Sequence, residues 1–318
     1  MSAQQPNDKQ SEFEQALVSK IATEAITEQR RARRWSVFFK LFFLAYVSVI
    51  TLMFFVDGWD GPSMGMKKHT ALVDISGVIS ADSQASADYI VSGLRAAFED
   101  RNTAGIILRI NSPGGSPVQA GYVNNEIYRL REEYPDTPFY SVITDMCASG
   151  GYYIAAAADE IYADKASIVG SIGVIMSGFG FVDTIEKIGV ERRLLHAGDN
   201  KGFLDPFSPL KSDEVEHVET LLTDIHQQFI DIVKKGRGDK LVDDEIIFSG
   251  LIWTGEQSLE LGLVDALGSP GYVAREVIGA EDIVDFTKRK TFMDQFASKI
   301  GAVFARTMRS ILAGFEFR

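Results

Sequence analysis

One cysteine, Cys147, stands in a chain of 318 residues. A lone thiol excludes an internal disulfide framework and any zinc site built on several cysteines. Histidine is also sparse, with four in all: His69, His196, His217 and His226. No His-Glu-x-x-His pair or other metal-ligand spacing occurs, so neither a metal nor a cofactor is expected. Positive charge is in deficit, 32 Lys and Arg against 44 Asp and Glu, for a formal net charge of −12. A protein that wraps phosphate backbones is usually basic, which argues against nucleic acid as a partner. Nine prolines and 28 glycines are ordinary usage and set aside collagen-like and low-complexity classes. The glycines between residues 170 and 180 lack the strand-to-helix setting and downstream acid of a dinucleotide fingerprint. No fixed-period repeat is present.

What the chain has in quantity is apolar sequence, 46% of its residues. Residues 1–34 are the exception: they are polar and end in Arg30, Arg31, Arg33 and Arg34. The run WSVFFKLFFLAYVSVITLMFFV follows, residues 35–56, with Lys40 as its single charge. At 1.5 Å per residue it reaches about 33 Å, against roughly 30 Å of hydrocarbon core. Lys40 lies early enough to snorkel towards the headgroups, and Trp35 sits at the interfacial level. A cleavable signal peptide fits less well, because the run begins deep in the chain and ends in Asp57-Gly58-Trp59-Asp60 rather than at small residues. The expectation is a cytoplasmic tail over residues 1–34 and a retained transmembrane helix over residues 35–56. Arginines before the span and acids after it put the N-terminus in the cytoplasm and the body across the membrane. A bacterial inner membrane with a periplasmic body is the working expectation.

After a linker at residues 57–70, the pattern alternates strand and helix. Residues 71–79 (ALVDISGVI), 105–110 (GIILRI), 139–145 (FYSVITD) and 160–164 read as strands. Residues 88–99, 118–133 and 150–158 read as helices. Such alternation predicts βαβ crossovers and a mostly parallel sheet in an α/β domain over residues 71–287. Residues 212–235 form the clearest helix, with Val215, Val218, Leu221, Leu222, Ile225, Phe229, Ile232 and Val233 as a core-packing stripe. Over residues 288–318, Phe292, Phe296, Ile300, Val303, Phe304, Ile311 and Leu312 recur at helical spacing among lysines and arginines. This basic amphipathic segment fits an anionic membrane surface, or packing on the domain or a neighbouring subunit.

Two glycine turns are placed for chemistry. Ser112-Pro113-Gly114-Gly115 follows a buried strand, where glycine lets N–H groups face outward with no Cβ in the way. Cys147-Ala148-Ser149-Gly150-Gly151 joins a strand to an apolar helix. Ser149 falls at the first turn of that helix, near unpaired N–H groups and the positive end of the helix dipole. That suits a nucleophile whose attack creates an oxyanion, and it equally suits an ordinary N-cap. Cys147 reads as a small buried apolar residue rather than a nucleophile. A serine nucleophile needs a base. His217 and His226, nine residues apart on one helix, point to opposite faces and, like His69, read as solvated. His196 ends the strand-like ERRLLH and stays open as a site residue. Lys201, in the polar loop Ala197-Gly198-Asp199-Asn200-Lys201-Gly202, is either a base or a solvated loop lysine. A free lysine is neutral in only about 4 parts in 10,000 at pH 7, so base work demands desolvation.

In order, NSPGG at residues 111–115, ASGGYYIA at 148–155, VGSIGVI at 169–175 and the Lys201 loop resemble the signal peptide peptidase A family. These are membrane-bound serine peptidases of bacteria, also called protease IV. The likeness runs from about residue 71 to residue 275 and suits the short, single-repeat form. It implies a crotonase-like fold of repeated ββα units, shared with the Clp protease. It implies Ser149 as nucleophile, Lys201 as general base, and the N–H groups of Gly115 and Gly150 as the oxyanion hole. It further implies a homo-oligomeric ring whose neighbouring protomers complete each site, and peptide substrates such as released signal peptides. Cys147 stands where many relatives carry alanine. Two other classes stay open here: a crotonase-like acyl-CoA enzyme, and a catalytically silent membrane scaffold that recruits partners through its basic tail.

Overall fold

The computed structural model describes residues 7–57 and 67–289. The chain divides into two units, Met1–Gly65 and Met66–Arg318. In the first, helix α1 (Asn7–Asp57) runs for 51 residues, about 77 Å at 1.5 Å per residue. Its stretch Ile26–Thr51 is the one helix among the described residues long and apolar enough to cross a membrane, and none of it is buried. It overlaps the expected span at residues 35–56 and starts further back, because the helix continues unbroken through the arginine cluster. Phe42, Phe43 and Leu44 stay exposed along it, with Trp35 stacked on Phe39 at 5.6 Å.

The second unit alternates as the apolar pattern dictates. It opens with β1 (His69–Ser76), α2 (Ala87–Glu99), β2 (Thr103–Ser112), α3 (Pro117–Glu133), β3 (Phe139–Ala148) and α4 (Gly150–Ala155). β4 (Glu160–Ala163), β5 (Ile168–Gly170), α5 (Val182–Lys187) and α6 (Ser212–Arg237) follow. The last elements are β6 (Ile252–Thr254), α7 (Gly255–Glu260), β7 (Ala266–Leu267), α8 (Pro270–Tyr272) with a π-helical turn at Val273–Ile278, and β8 (Ile283–Asp285). One sheet runs β6-β5-β3-β2-β1-β8, with β4 pairing β3 and β7. Every pairing except β5 with β6 is parallel. The result is the expected α/β fold with a parallel core, preceded by one apolar helix.

Parallel strands covered on both faces must be apolar on both. Ala71, Val73 and Ile75 of β1 and Ile106, Leu108 and Ile110 of β2 pack on one face against Ile90, Leu94 and Phe98 of α2 and Val123, Ile127 and Leu130 of α3. The opposite face is smaller: Leu72, Ile107, Val142 and Tyr162 meet Val273 and Ala274. α3 begins where Ser116 accepts a hydrogen bond from the Gln119 N–H and Pro117 takes the first helical position, where its missing donor costs nothing.

β3 holds an irregularity that matters for the site. Its register with β2 steps from Ile110↔Ile143 to Ser112↔Cys147, two residues on β2 against four on β3. The first part of β3 pairs with β4 and the last part, Met146–Ala148, pairs with β5. A bulge of this kind bends a strand and redirects the residues beyond it.

Several expectations from the sequence are corrected. His69 is buried, stacks on Phe286 at 5.9 Å and lies 3.6 Å from Asp100. The α6 stripe is core only at its C-terminal end, where Phe229 and Val233 are buried; Leu221 is exposed and Val215 to Ile225 are not fully covered. ERRLLH forms no strand: residues 191–196 take part in no strand pairing among the described residues and are exposed. The basic C-terminal segment expected over residues 288–318 lies, from residue 290 on, outside the described residues.

Candidate active site

β3 delivers Ser149 to a sharp turn at the start of α4. Its backbone has φ 51° and ψ −124°, a conformation that L-residues with a Cβ rarely adopt. The Ser149 N–H donates to the Gly170 carbonyl at 2.9 Å, tying the turn to β5, while the Ser149 carbonyl accepts from the Tyr153 N–H at 3.0 Å. Ser149 therefore occupies the N-cap position. Its hydroxyl does not cap: the helix has no side-chain cap bond. The half-buried hydroxyl thus stands beside the helix start without being consumed by it.

Behind the turn everything is fixed. Cys147 is fully buried, and burial pushes its thiol well above the ordinary range, which makes it a packing residue as expected. The Tyr152 hydroxyl donates to the Leu263 carbonyl at 2.7 Å inside the core. Asn124 of α3 donates through Nδ2 to the Tyr153 carbonyl at 2.8 Å, and Tyr153 packs on Phe229 of α6 at 5.2 Å.

The Ser112–Gly115 loop closes on the same turn. Gly114 has φ 97°, and a Cβ there would lie 2.7 Å from Ala148 O, Gly150 N and Ser149 Cβ. Gly115 has φ 150°, and a Cβ there would lie 2.1 Å from the Ile79 carbonyl. Only glycine allows both approaches. The Ile79 N–H donates to Gly114 O at 2.8 Å and Ser116 N–H to Ile79 O at 2.8 Å, so the loop is zipped to the chain beyond β1. A Cβ on Gly150 would fall 3.3 Å from Gly115 N, which puts the two glycines side by side. Among the described residues, neither the Gly115 nor the Gly150 N–H has a hydrogen-bond acceptor. The structure therefore brings together Ser149, Gly115 and Gly150, three of the four residues expected from the sequence.

Lys201 is the fourth, and the isolated chain does not bring it to them. It lies in a turn where its N–H donates to Gly198 O at 3.1 Å, its side chain is exposed, and no hydrogen bond or ion pair joins it to Ser149. His196 is exposed in the same stretch, with Nδ1 2.9 Å from Gly198 O. The stretch belongs to an excursion over residues 171–211 in which Ile175, Phe179 and Leu195 are 88%, 82% and 95% exposed. At its base Ser171 has φ 52°, and its N–H donates to Leu251 O at 2.7 Å. Arg192 pairs with Asp205, and Phe181 stacks on Phe207 at 5.5 Å, so part of the excursion is knitted to itself.

Two residues have roles here that the sequence reading did not give them. Ser112 is fully buried, donates to Gly77 O at 2.7 Å and accepts from the Gly114 N–H at 3.1 Å. Its signal was a hydroxyl at the end of a largely buried strand. His226, expected to be solvated, is half-buried, and its Nε2 lies 3.1 Å from the Ile172 carbonyl. A carbonyl only accepts, so Nε2 carries the proton and holds the start of the excursion against α6. No feature of the sequence predicts that pairing across 54 positions. Among the described residues, no group of three or more His, Cys, Asp or Glu is arranged to hold a metal.

Residues 133–301 match the sequence profile of Peptidase family S49, a stretch that includes Ser149 and Lys201 and begins after the Ser112–Gly115 loop. The chain is 32% identical over 175 residues to the putative signal peptide peptidase SppA of Enterococcus faecium, covering 55% of this chain and 50% of that protein. It is 31% identical over 203 residues to a putative protease of Synechocystis, covering 64% and 71%. It is also 47% identical over 186 residues to a protein of Brucella abortus named Na(+)/H(+) antiporter NhaA, covering 58% of this chain. That alignment spans only 25% of the Brucella protein, so its name describes a molecule most of which lies outside the match.

Proposed function

This chain belongs to peptidase family S49, and from that membership we propose that it is a membrane-anchored serine endopeptidase working through a Ser149–Lys201 dyad. The observation that carries the reading is the Ser149 turn: an uncapped hydroxyl on a strained backbone, beside two N–H groups with no acceptor. Ser149 Oγ attacks the peptide carbonyl while neutral Lys201 takes its proton. The Gly115 and Gly150 N–H groups hold the oxyanion of the tetrahedral intermediate. The lysinium then protonates the leaving amine, and water deprotonated by the same lysine releases the acyl group.

A base must be desolvated, and Lys201 is exposed in the single chain. A second copy of the chain, packed on the apolar excursion, supplies the missing surroundings in a homo-oligomeric ring. Apolar peptides are the proposed substrates, released signal peptides among them, in line with the name carried by the Enterococcus relative. α1 anchors the peptidase in a bacterial inner membrane, with Arg30–Arg34 on the cytoplasmic side and the body in the periplasm. Acyl-CoA chemistry is less well supported, since membership of a peptidase family favours amide hydrolysis. A silent scaffold would have no need of a strained serine beside unpaired donors.

The test is labelling of the full chain in detergent with a peptidyl fluorophosphonate, read by intact mass and mapped to a residue. One adduct at Ser149, absent in Ser149→Ala, is expected. Peptide cleavage that survives in Ser149→Ala would refute the reading. His196→Ala should leave turnover unchanged; its loss, with turnover retained in Lys201→Ala, would replace the lysine by a histidine base.

A further inference from the structure

We propose that Ser112 is a positioning residue for oxyanion stabilisation, acting through the Gly114–Gly115 turn. The inference rests on the reading of Ser149, Gly115 and Gly150 given above. Ser112 is the last residue of β2 and is fully buried. Its hydroxyl makes one bond in each direction, donating to Gly77 O at 2.7 Å and accepting from Gly114 N–H at 3.1 Å. Gly77 lies just beyond β1 and Gly114 just before the acceptor-free N–H of Gly115. One oxygen therefore joins the end of β1 to the turn that carries a proposed oxyanion donor.

Backbone bonds from Ile79 and Ser116 hold the far side of this turn. On the near side, Pro113 has no N–H and the Gly114 N–H is held by Ser112. Glycine supplies no side chain to fix its own dihedrals, so a turn with φ 97° and φ 150° at successive glycines depends on its hydrogen bonds. Gly114 also sits so close to Gly150 N and Ser149 Cβ that any drift in it is felt at the nucleophile turn. Removing the Ser112 hydroxyl leaves a buried N–H and a carbonyl without partners and frees the turn to relax towards other acceptors.

A donor that stays present but moves loses much of its value in the transition state and little in ground-state binding. Ser112→Ala in the full-length anchored chain should lower kcat by roughly 10- to 100-fold, the scale for misplacement by about 1 Å. KM should stay within about twofold. Inhibition by a peptidyl aldehyde, whose hemiacetal adduct places an oxyanion at the site, should weaken by the same factor as kcat/KM. Ser112→Thr, which keeps the hydroxyl, should recover most of both. Should Ser112→Ala fail to fold, Ser112→Cys, similar in volume and a weak hydrogen-bonding group, carries the same expectation. Wild-type kcat in Ser112→Ala, or a fall in kcat with unchanged aldehyde inhibition, would overturn the proposal. Ser149→Ala is assayed in parallel. If it still turns over, the nucleophile assignment itself has failed, a result that inactivity confined to Ser112 variants cannot mimic.

Discussion

Ser149 and Lys201 lie 52 positions apart in sequence and could hardly differ more in setting. The serine stands on a turn gripped from β5, from the Ser112–Gly115 loop and from a core that includes Cys147 and Tyr152. The lysine stands in a loop whose neighbours from residue 191 to residue 201 are all exposed. One half of the proposed dyad is thus complete within a single chain and the other half is not. In the proposed mechanism pre-organisation belongs to the nucleophile and the donors, which must be aimed at an oxyanion. The proposed base needs a dry setting, and in the single chain the excursion leaves Ile175, Phe179 and Leu195 in solvent.

The largest expected effect tests the built half. Ser149→Ala should reduce peptide hydrolysis by about 10⁴-fold or more and leave the thermal midpoint near that of the parent, since among the described residues the hydroxyl makes no capping hydrogen bond. Next comes the unbuilt half. Lys201→Ala and Lys201→Arg should both lose about 10³-fold or more, because guanidinium stays protonated and cannot accept the serine proton. Co-assembling Ser149→Ala with Lys201→Ala chains sharpens the contrast. Activity should return in the mixture if one chain completes another, and a dead mixture would place both groups of each working site in one chain.

Smaller effects probe the grip on the serine turn. Gly114→Ala should destabilise the body by about 2–4 kcal/mol in a denaturant titration, combining left-handed strain with a backbone clash. Tyr152→Phe should cost about 1 kcal/mol, leaving the buried Leu263 carbonyl without its donor. The smallest effect lies in the ion pairs that join α2 to α3. Hydrogen bonds from Arg129 and Arg95 hold the Glu126 carboxyl at about 2, against an ordinary value of 4.5. A depressed carboxylate stabilises the fold fully above its unfolded value, and that stability is lost as pH falls from 4.5 towards 2. Glu126→Gln should flatten the melting-temperature curve in that window and leave it unchanged near neutrality.

The same contrast explains what could be read from the sequence. The parallel core was legible because strand and helix periodicities are local, and α2 and α3 begin within one residue of expectation. The serine turn was legible because its glycines are demanded by close backbone approach, and such demands leave a mark in sequence. The long α6 misled. Its stripe from Val215 to Val233 is continuous, yet the body covers only the C-terminal end, and periodicity cannot say what an apolar face meets. His69 misled for the opposite reason: Lys67 and Lys68 beside it mark a solvated run, while the edge pairing of β8 with β1 brings Phe286 over its ring. ERRLLH offers only two adjacent leucines, none of the β-branched residues that favour strands, and it pairs with no strand among the described residues.

The step in β3 has a consequence of its own. Ile143 and Cys147 both belong to the main core, while Asp145 between them is exposed and accepts a hydrogen bond from Asn111. Side chains alternate along a strand, so the number of surplus residues fixes which side the chain leaves from. The surplus here is even, so Cys147 returns to the core that Ile143 occupies, and the turn at Ser149 starts from that side. Deleting one residue from the Thr144–Met146 stretch would reverse that parity and turn the hydroxyl away from Gly115. Deleting two would keep the parity and merely shorten the reach. A pair of deletion variants should therefore behave in an order that size alone does not predict, with the smaller deletion doing the greater damage.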